Sequence, residues 1–249
     1  MPPDEPFRLP EREVRRLQRT RRHPRPTQHD YLHSRYLVDA LARTLPNVPA
    51  PVNDVLDVYC GTRPYDDLLP PGSESVGMDL TDFAGVADVV SNEFLPFEDE
   101  SFDLVMCTEA FYYVKEPSEA VHEIARVLRP GGSVVITVSL PWEYDRSTLE
   151  HRYTGPELEH LFSGFDDVHV TENGGYAVSW ATLSGRIAYG VEERLPRTAR
   201  VLLRPVFVAA YLAINAIGAA LDRVERRTPP GSVILPMNLM LTARRPASS

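Results

Sequence analysis

Between residues 54 and 173, short apolar runs alternate with helical stretches, and no other feature of the chain restricts its fold as much. "DVLDVY" reads as a buried strand, "SVGMDL" as a second that ends in Asp79, and "ADVVS" as a short third. "FDLVMCT", "SVVITVSL" and "DVHVTEN" supply the fourth to sixth, and "MNLMLTARRP" near the end a seventh. "PSEAVHEIARVLRPGG" reads as a helix capped by Ser118 and stopped by Gly131 and Gly132 after Pro130, and "TGPELEHLFSGF" as another. Alternating strand and helix imply βαβ units. The expected fold is therefore a doubly wound, mainly parallel α/β sheet with helices on both faces.

The flanks differ from this core. Residues 1–28 are rich in Pro, Arg and Glu, which predicts a basic, flexible arm. In residues 29–46, Tyr31, Leu32, Tyr36, Leu37, Leu41 and Leu45 recur at helical spacing, so an amphipathic helix opens a core unit spanning 29–176. Residues 177–232 read as a helical insertion and 233–249 as the last strand and tail. Within the insertion, residues 206–221 are apolar apart from Asn215, yet shorter than the ~20 residues of a spanning helix. Two readings stand: burial against the domain or in a homodimer through 201–225, or peripheral membrane contact, which the flanking arginines would assist.

Composition adds limits. With 43% hydrophobic and 24% charged residues, the 249-residue chain has the make-up of a globular protein. A net charge of -9 argues against a partner made of nucleic acid. Cys60 and Cys107 are the two cysteines, so neither a disulfide framework nor a metal-binding Cys pair is expected. That usage, with no apolar leader in "MPPDEPFRLP", leads to an expected cytoplasmic location. Lys115 is the only lysine among many arginines, as in a GC-rich bacterial genome.

In an open parallel sheet, ligands bind beyond the carboxyl ends of the strands where strand order reverses. Asp57 and the turn after it lie there if "VLDVY" is the first strand, and Asp79 ends the second strand twenty-two residues on (79 minus 57). An acid at that distance suits the two hydroxyls of a ribose. The turn "YCGTRP" has one glycine and a proline, so it lacks the G-x-G-x-x-G of a dinucleotide site, and no phosphate-cradling G-x-x-x-x-G-K-[ST] occurs. What these residues describe is a site for a ribose-bearing cofactor without a pyrophosphate.

"VLDVYCGTRPY", "VGMDL", "LPFEDESFDLVMCTEAFYYV", "EAVHEIARVLRPGGSVVITV" and "RYTGPELEHLF", in this order and spacing, resemble the class I S-adenosylmethionine-dependent methyltransferases. The resemblance is closest to the type 11-like branch and covers residues 29–175. It implies a Rossmann-like seven-stranded sheet, with the helical insertion placed before the last strand. It further implies that Asp57, Tyr59, Cys60, Gly61 and Thr62 surround the methionine end of the cofactor, that Asp79 takes the ribose, and that Leu80 packs on adenine. Either Ser91 or Asn92 would meet the adenine amine, and Thr108 and Glu109 would line the methyl-transfer site. Tyr59 departs from the pattern, standing where the family has a glycine that lets backbone approach the cofactor. Its ring either turns away or fills cofactor space.

Methyl transfer from a sulfonium is an in-line displacement that needs positioning more than dedicated acid–base groups. Candidates for a base are His33, Tyr113 and His151, with His29 and Tyr112 beside them. The expected function is S-adenosylmethionine-dependent methylation of an oxygen or nitrogen of a small molecule such as a natural product, sugar or lipid-linked intermediate. The alternative from another class is a non-catalytic, methyltransferase-like partner or scaffold subunit with a decayed pocket.

Overall fold

Seven strands form one sheet: β1 (Asp54–Val58), β2 (Glu74–Asp79), β3 (Val89–Val90), β4 (Phe102–Thr108), β5 (Leu128–Ser139), β6 (Asp166–Asn173) and β7 (Asn238–Arg244). Their order across the sheet is β3-β2-β1-β4-β5-β7-β6. β1 to β5 run parallel, while β7 lies antiparallel between β5 and β6. The order reverses between β1 and β4, and that junction is where the ends of neighbouring strands splay to admit a ligand. The computed structural model describes residues 8–49, 51–91, 95–141, 143–144, 146–227 and 234–247.

The period-2 pattern of the central strands sorts side chains to two cores. Leu56, Val58, Val105 and Cys107 face α3 (Pro117–Val127) and α4 (Gly155–Leu161), meeting Ile124, Val127 and Phe162. Val55, Leu104, Met106 and Val135 face α2 (Tyr31–Thr44), against Leu37, Leu41 and Leu45. Thr154 caps α4 by accepting from the Glu157 N–H, while the Glu157 carboxylate accepts from the Thr154 N–H. α5 (Tyr176–Arg194) and α6 (Arg197–Glu225) form the insertion between β6 and β7.

Several sequence expectations are corrected. The β1–β2 crossover holds only a 3₁₀ turn, Asp66–Leu68. Pro70, Pro71 and Gly72 cannot prolong it, and α2 covers that face instead. Ser118 does not cap α3: Glu116 holds the N-cap position without a side-chain bond, and Pro117 opens the helix. That helix stops at Val127, ahead of the two glycines, because Leu128 already pairs with Phe102 in the sheet. Residues within the expected flexible arm form helix α1 (Glu11–Arg22), whose Val14 is buried. Finally, the apolar stretch 206–221 is part of one longer helix that passes through Pro205.

Candidate functional site

β1 delivers Asp57 to the α2 face of the sheet, paired in register with Gly77 of β2 and Met106 of β4. It is 5% exposed. Burial, with Asp66 and Asp79 adding to it and Arg63 opposing, pushes its carboxyl up to about 8. A cationic group brought beside Asp57 would relieve this by favouring the ionised form.

After β1 the chain turns sharply. Tyr59 (φ 57), Gly61 (φ 57) and Arg63 (φ 50) all lie in the left-handed region. For Gly61 this is free of cost, whereas a side chain there costs about 1–2 kcal/mol per residue. The Gly61 N–H donates to Asp79 Oδ2 at 2.8 Å, and the Leu80 N–H donates to Asp79 Oδ1 at 2.7 Å, so one carboxylate ties the ends of β1 and β2 together. The Ser91 N–H donates to the Asp79 carbonyl at 3.1 Å, and Leu80 is exposed beside it. Asn92, the other adenine-site candidate, lies outside the described residues.

Arg63 is structural. Its guanidinium pairs with Asp66 and Asp88 and donates to the Ser75 carbonyl at 2.9 Å, locking the turn to β2. Cys60 is buried, its N–H bonded to the Met78 carbonyl at 3.0 Å, and burial raises its thiol far above the range of a reactive thiolate. Thr62 is buried as well, and its Oγ1 has no hydrogen-bond partner among the described residues. α1 crosses above this loop: Gln18 Nε2 donates to the Thr62 carbonyl at 2.8 Å, and Arg22 Nε to Asp67 at 2.8 Å.

The Tyr59 ring packs on the α3 face of the sheet, opposite the face that carries Asp57. It lines a cavity of about 20 Å³ with Val58, Leu95, Cys107, Phe111 and Ile124. That is roughly the space of one water molecule. The loop thus fits the polar half of an adenosyl cofactor, through Asp57, Asp79, the Gly61 backbone and Thr62, while room on the α3 side requires the Tyr59 ring to swing.

The second half of the site lies past β4. Thr108 ends that strand opposite Thr137, and Glu109 follows at φ 56. The Glu109 N–H donates to the Thr137 carbonyl at 3.0 Å and to its hydroxyl at 2.9 Å, which fixes the turn. Its carboxylate accepts from Ser139 Oγ and from Asn238 Nδ2. His33 of α2, itself buried, places Nε2 at 3.4 Å from Glu109 Oε2. Asn173 Nδ2 in turn donates to Asn238 Oδ1 at 2.9 Å. Three of the five non-glycine residues at positive φ among the described residues, Tyr59, Arg63 and Glu109, therefore sit at this one edge. Strain gathered at one edge points to function there.

The other candidates part company with this group. His151 donates its N–H to the Tyr112 carbonyl at 2.8 Å and stacks near Tyr153, which makes it a brace for the loop after β4. Tyr112 is buried against Tyr113 at a ring separation of 4.4 Å, and Tyr113 is partly exposed. His29 stacks on Tyr189 at 4.1 Å in the α2–α5 packing; burial lowers its affinity for protons, with Arg186 contributing and Asp30 opposing. Ser139, Asn173 and Asn238 escaped the sequence reading. The available signal was a polar residue at the end of "VVITVS" and another at the start of "NLML", in strands otherwise apolar.

The strand order, the antiparallel seventh strand and the acid-lined edge define a class I S-adenosylmethionine-dependent methyltransferase fold. Residues 56–136 match the family model described as a methyltransferase domain. Among solved structures it superposes on an S-adenosylmethionine-dependent methyltransferase from Mesorhizobium loti with TM-score 0.51 at 19% identity, covering 86% of this chain and 100% of that one. It also superposes on the [4+2]-cyclase SpnF with TM-score 0.51 at 20% identity, covering 88% of this chain and 83% of that one. At such identities the likeness is one of fold. Among curated proteins, the chain is 31% identical over 152 residues to cycloartenol-C-24-methyltransferase 1 of Oryza sativa subsp. japonica, covering 51% of this chain and 44% of that protein. It is 46% identical over 59 residues to phthiotriol/phenolphthiotriol dimycocerosates methyltransferase 1 of Mycobacterium ulcerans, covering 21% of this chain and 22% of that protein. The chain thus spans less than half the length of these curated relatives.

Proposed function

We propose that this protein binds S-adenosylmethionine at the β1–β2–β4 edge and methylates an oxygen or nitrogen of an apolar, lipid-like small molecule. The observation that carries this reading is the convergence of Glu109 and His33 beside the edge that holds Asp57 and Asp79. The cofactor supplies an electrophilic methyl group whose transfer leaves a neutral sulfide. Asp79 would accept from ribose hydroxyls while keeping its bonds to the Gly61 and Leu80 N–H groups. Asp57 would face the cationic end, where its ionised form would be favoured. Ser139 and Asn238 hold the Glu109 carboxylate, leaving it to orient His33 and the pair to take the proton that a methylated acceptor sheds. An apolar acceptor is suggested by the names of the relatives, which act on cycloartenol and on dimycocerosates.

Calorimetric titration with S-adenosylmethionine tests the reading. The parent should bind, Asp79→Ala should weaken binding at least tenfold (about 1.4 kcal/mol), and Tyr59→Gly should change it less than that. In methyl-transfer assays with apolar acceptors, Glu109→Gln should lower turnover while leaving cofactor affinity unchanged. The small cavity beside Tyr59 favours a second reading, a methyltransferase-like subunit that holds no cofactor. Absence of binding by the parent, restored in Tyr59→Gly, would select it.

A further inference from the structure

The cofactor edge leaves the outward surface of the α5–α6 hairpin unexplained. On α5, Tyr176, Trp180, Leu183, Ile187 and Val191 follow helical spacing and all are exposed, Ile187 at 70%. On α6, Val201, Leu202, Val206, Leu212, Ile217 and Leu221 are exposed, Leu202 at 79%. Isolated apolar residues on a surface are ordinary, but a stripe on one helix beside a run of exposed apolar residues on the next marks an interaction surface.

The charges beside the stripes identify the partner. α6 has two acidic residues, and both turn inward. Asp222 accepts from Tyr36 and pairs with Arg226 at 2.9 Å. Glu225 accepts the Tyr176 and Ala177 N–H groups at 2.9 and 3.0 Å, capping the start of α5. The remaining charged residues within α6 are Arg197, Arg200, Arg204 and Arg223, of which Arg200 pairs with Glu193 of α5 at 2.9 Å and Arg204 with Glu192 of α5 at 2.6 Å. On the buried face of α6, Asn215 Nδ2 donates to the Pro26 and Gln28 carbonyls at 2.8 and 2.9 Å. Gln28 borders a cavity of about 550 Å³ walled by Arg12, Arg15, Arg16, Arg19 and Arg25. Arg15 and Arg16 pair with Glu11 and Glu13 only through exposed contacts, which neutralise them weakly. In a chain of net charge -9, a basic cluster is thus tied to α6 through residues 26–28, and both acids of α6 are engaged within the fold.

We propose that the α5–α6 hairpin docks this protein on an anionic lipid bilayer. Its apolar stripes enter the headgroup–acyl boundary, the nearby arginines meet lipid phosphates, and Tyr176 and Trp180 sit at the interface that such amphipathic rings favour. α6 lies in the membrane plane and does not span, although it is long and apolar enough to do so. Gly218 packs so closely that an added Cβ would stand 2.5 Å from Ala181 Cβ, and a spanning path would strip Asn215 and Asp222 of their partners. A second copy seated on this face is the competing occupant, and the test below distinguishes it from a bilayer.

The test is sedimentation of the full chain with vesicles of phosphatidylcholine alone and of phosphatidylcholine with phosphatidylserine, without cofactor. Binding should require phosphatidylserine and weaken as salt rises. Ile187→Asp/Leu202→Asp, at positions exposed enough to keep the fold, should lower affinity at least about tenfold with an unchanged melting curve. Arg12→Ala/Arg19→Ala should lose most of the salt dependence. Three results would each overturn the proposal: no binding of the parent to either vesicle, equal binding by the Ile187/Leu202 variant, or a dimer broken by those substitutions in a chain that ignores vesicles. Methyl transfer plays no part in the measurement, so its failure would leave the proposed activity standing.

Discussion

Asp57 shows how one residue can be legible in sequence and still be physically undetermined by it. Its place at the end of an apolar strand was evident from "VLDVY"; that it is enclosed and shifted to about 8 depends on α2 and on Asp66. The shift carries a stability consequence with a definite sign. An unfolded Asp ionises near 3.9, so between that pH and about 8 the unfolded chain binds fewer protons, and stability falls as pH rises. Asp57→Asn should therefore melt several degrees above the parent at pH 8 to 9, with the gain shrinking toward pH 4; an advantage that grew on acidification would contradict the burial account. Tyr59 is the opposite case. Its departure from glycine was visible, but which face took its ring was not, because that depends on the room left between β1, β4 and α3.

The helices are held by contacts that local patterns do not reveal. The turn before α2 approaches α5 until an added Cβ on Gly185 would lie 2.0 Å from the His29 carbonyl oxygen. Gly185→Ala should thus lower stability by about 1–3 kcal/mol in urea unfolding, whereas Gly164→Ala, with nothing within 4 Å, should fall well short of that. The sequence did not announce this crossing, since a glycine inside "LSGRIAYG" otherwise reads only as a weak helix position. α1 gives the same lesson. Its arginines, with the prolines on either side, read as a solvated arm, yet Gln18 and Arg22 are bonded to the loop after β1, and those partners lie more than forty residues away.

Across the whole molecule, the sheet should set the pattern of local opening. β1, β4 and β5 are paired on both sides and buried between two cores, whereas β3 is a two-residue edge. Hydrogen exchange should be slowest in β4 and β5 and fastest in β3, and early exchange in β4 would be inconsistent with this core. The sequence by itself determined the alternation of strands and helices, the positions of Asp57 and Asp79 and the insertion before β7, because hydrophobic period and turn chemistry are local properties. Only tertiary structure decided that Glu109 meets His33, Ser139 and Asn238. Those four residues come from α2, the β4 turn, β5 and β7, and their meeting is fixed by the antiparallel register of β7 against β5 and by how closely α2 packs on the sheet.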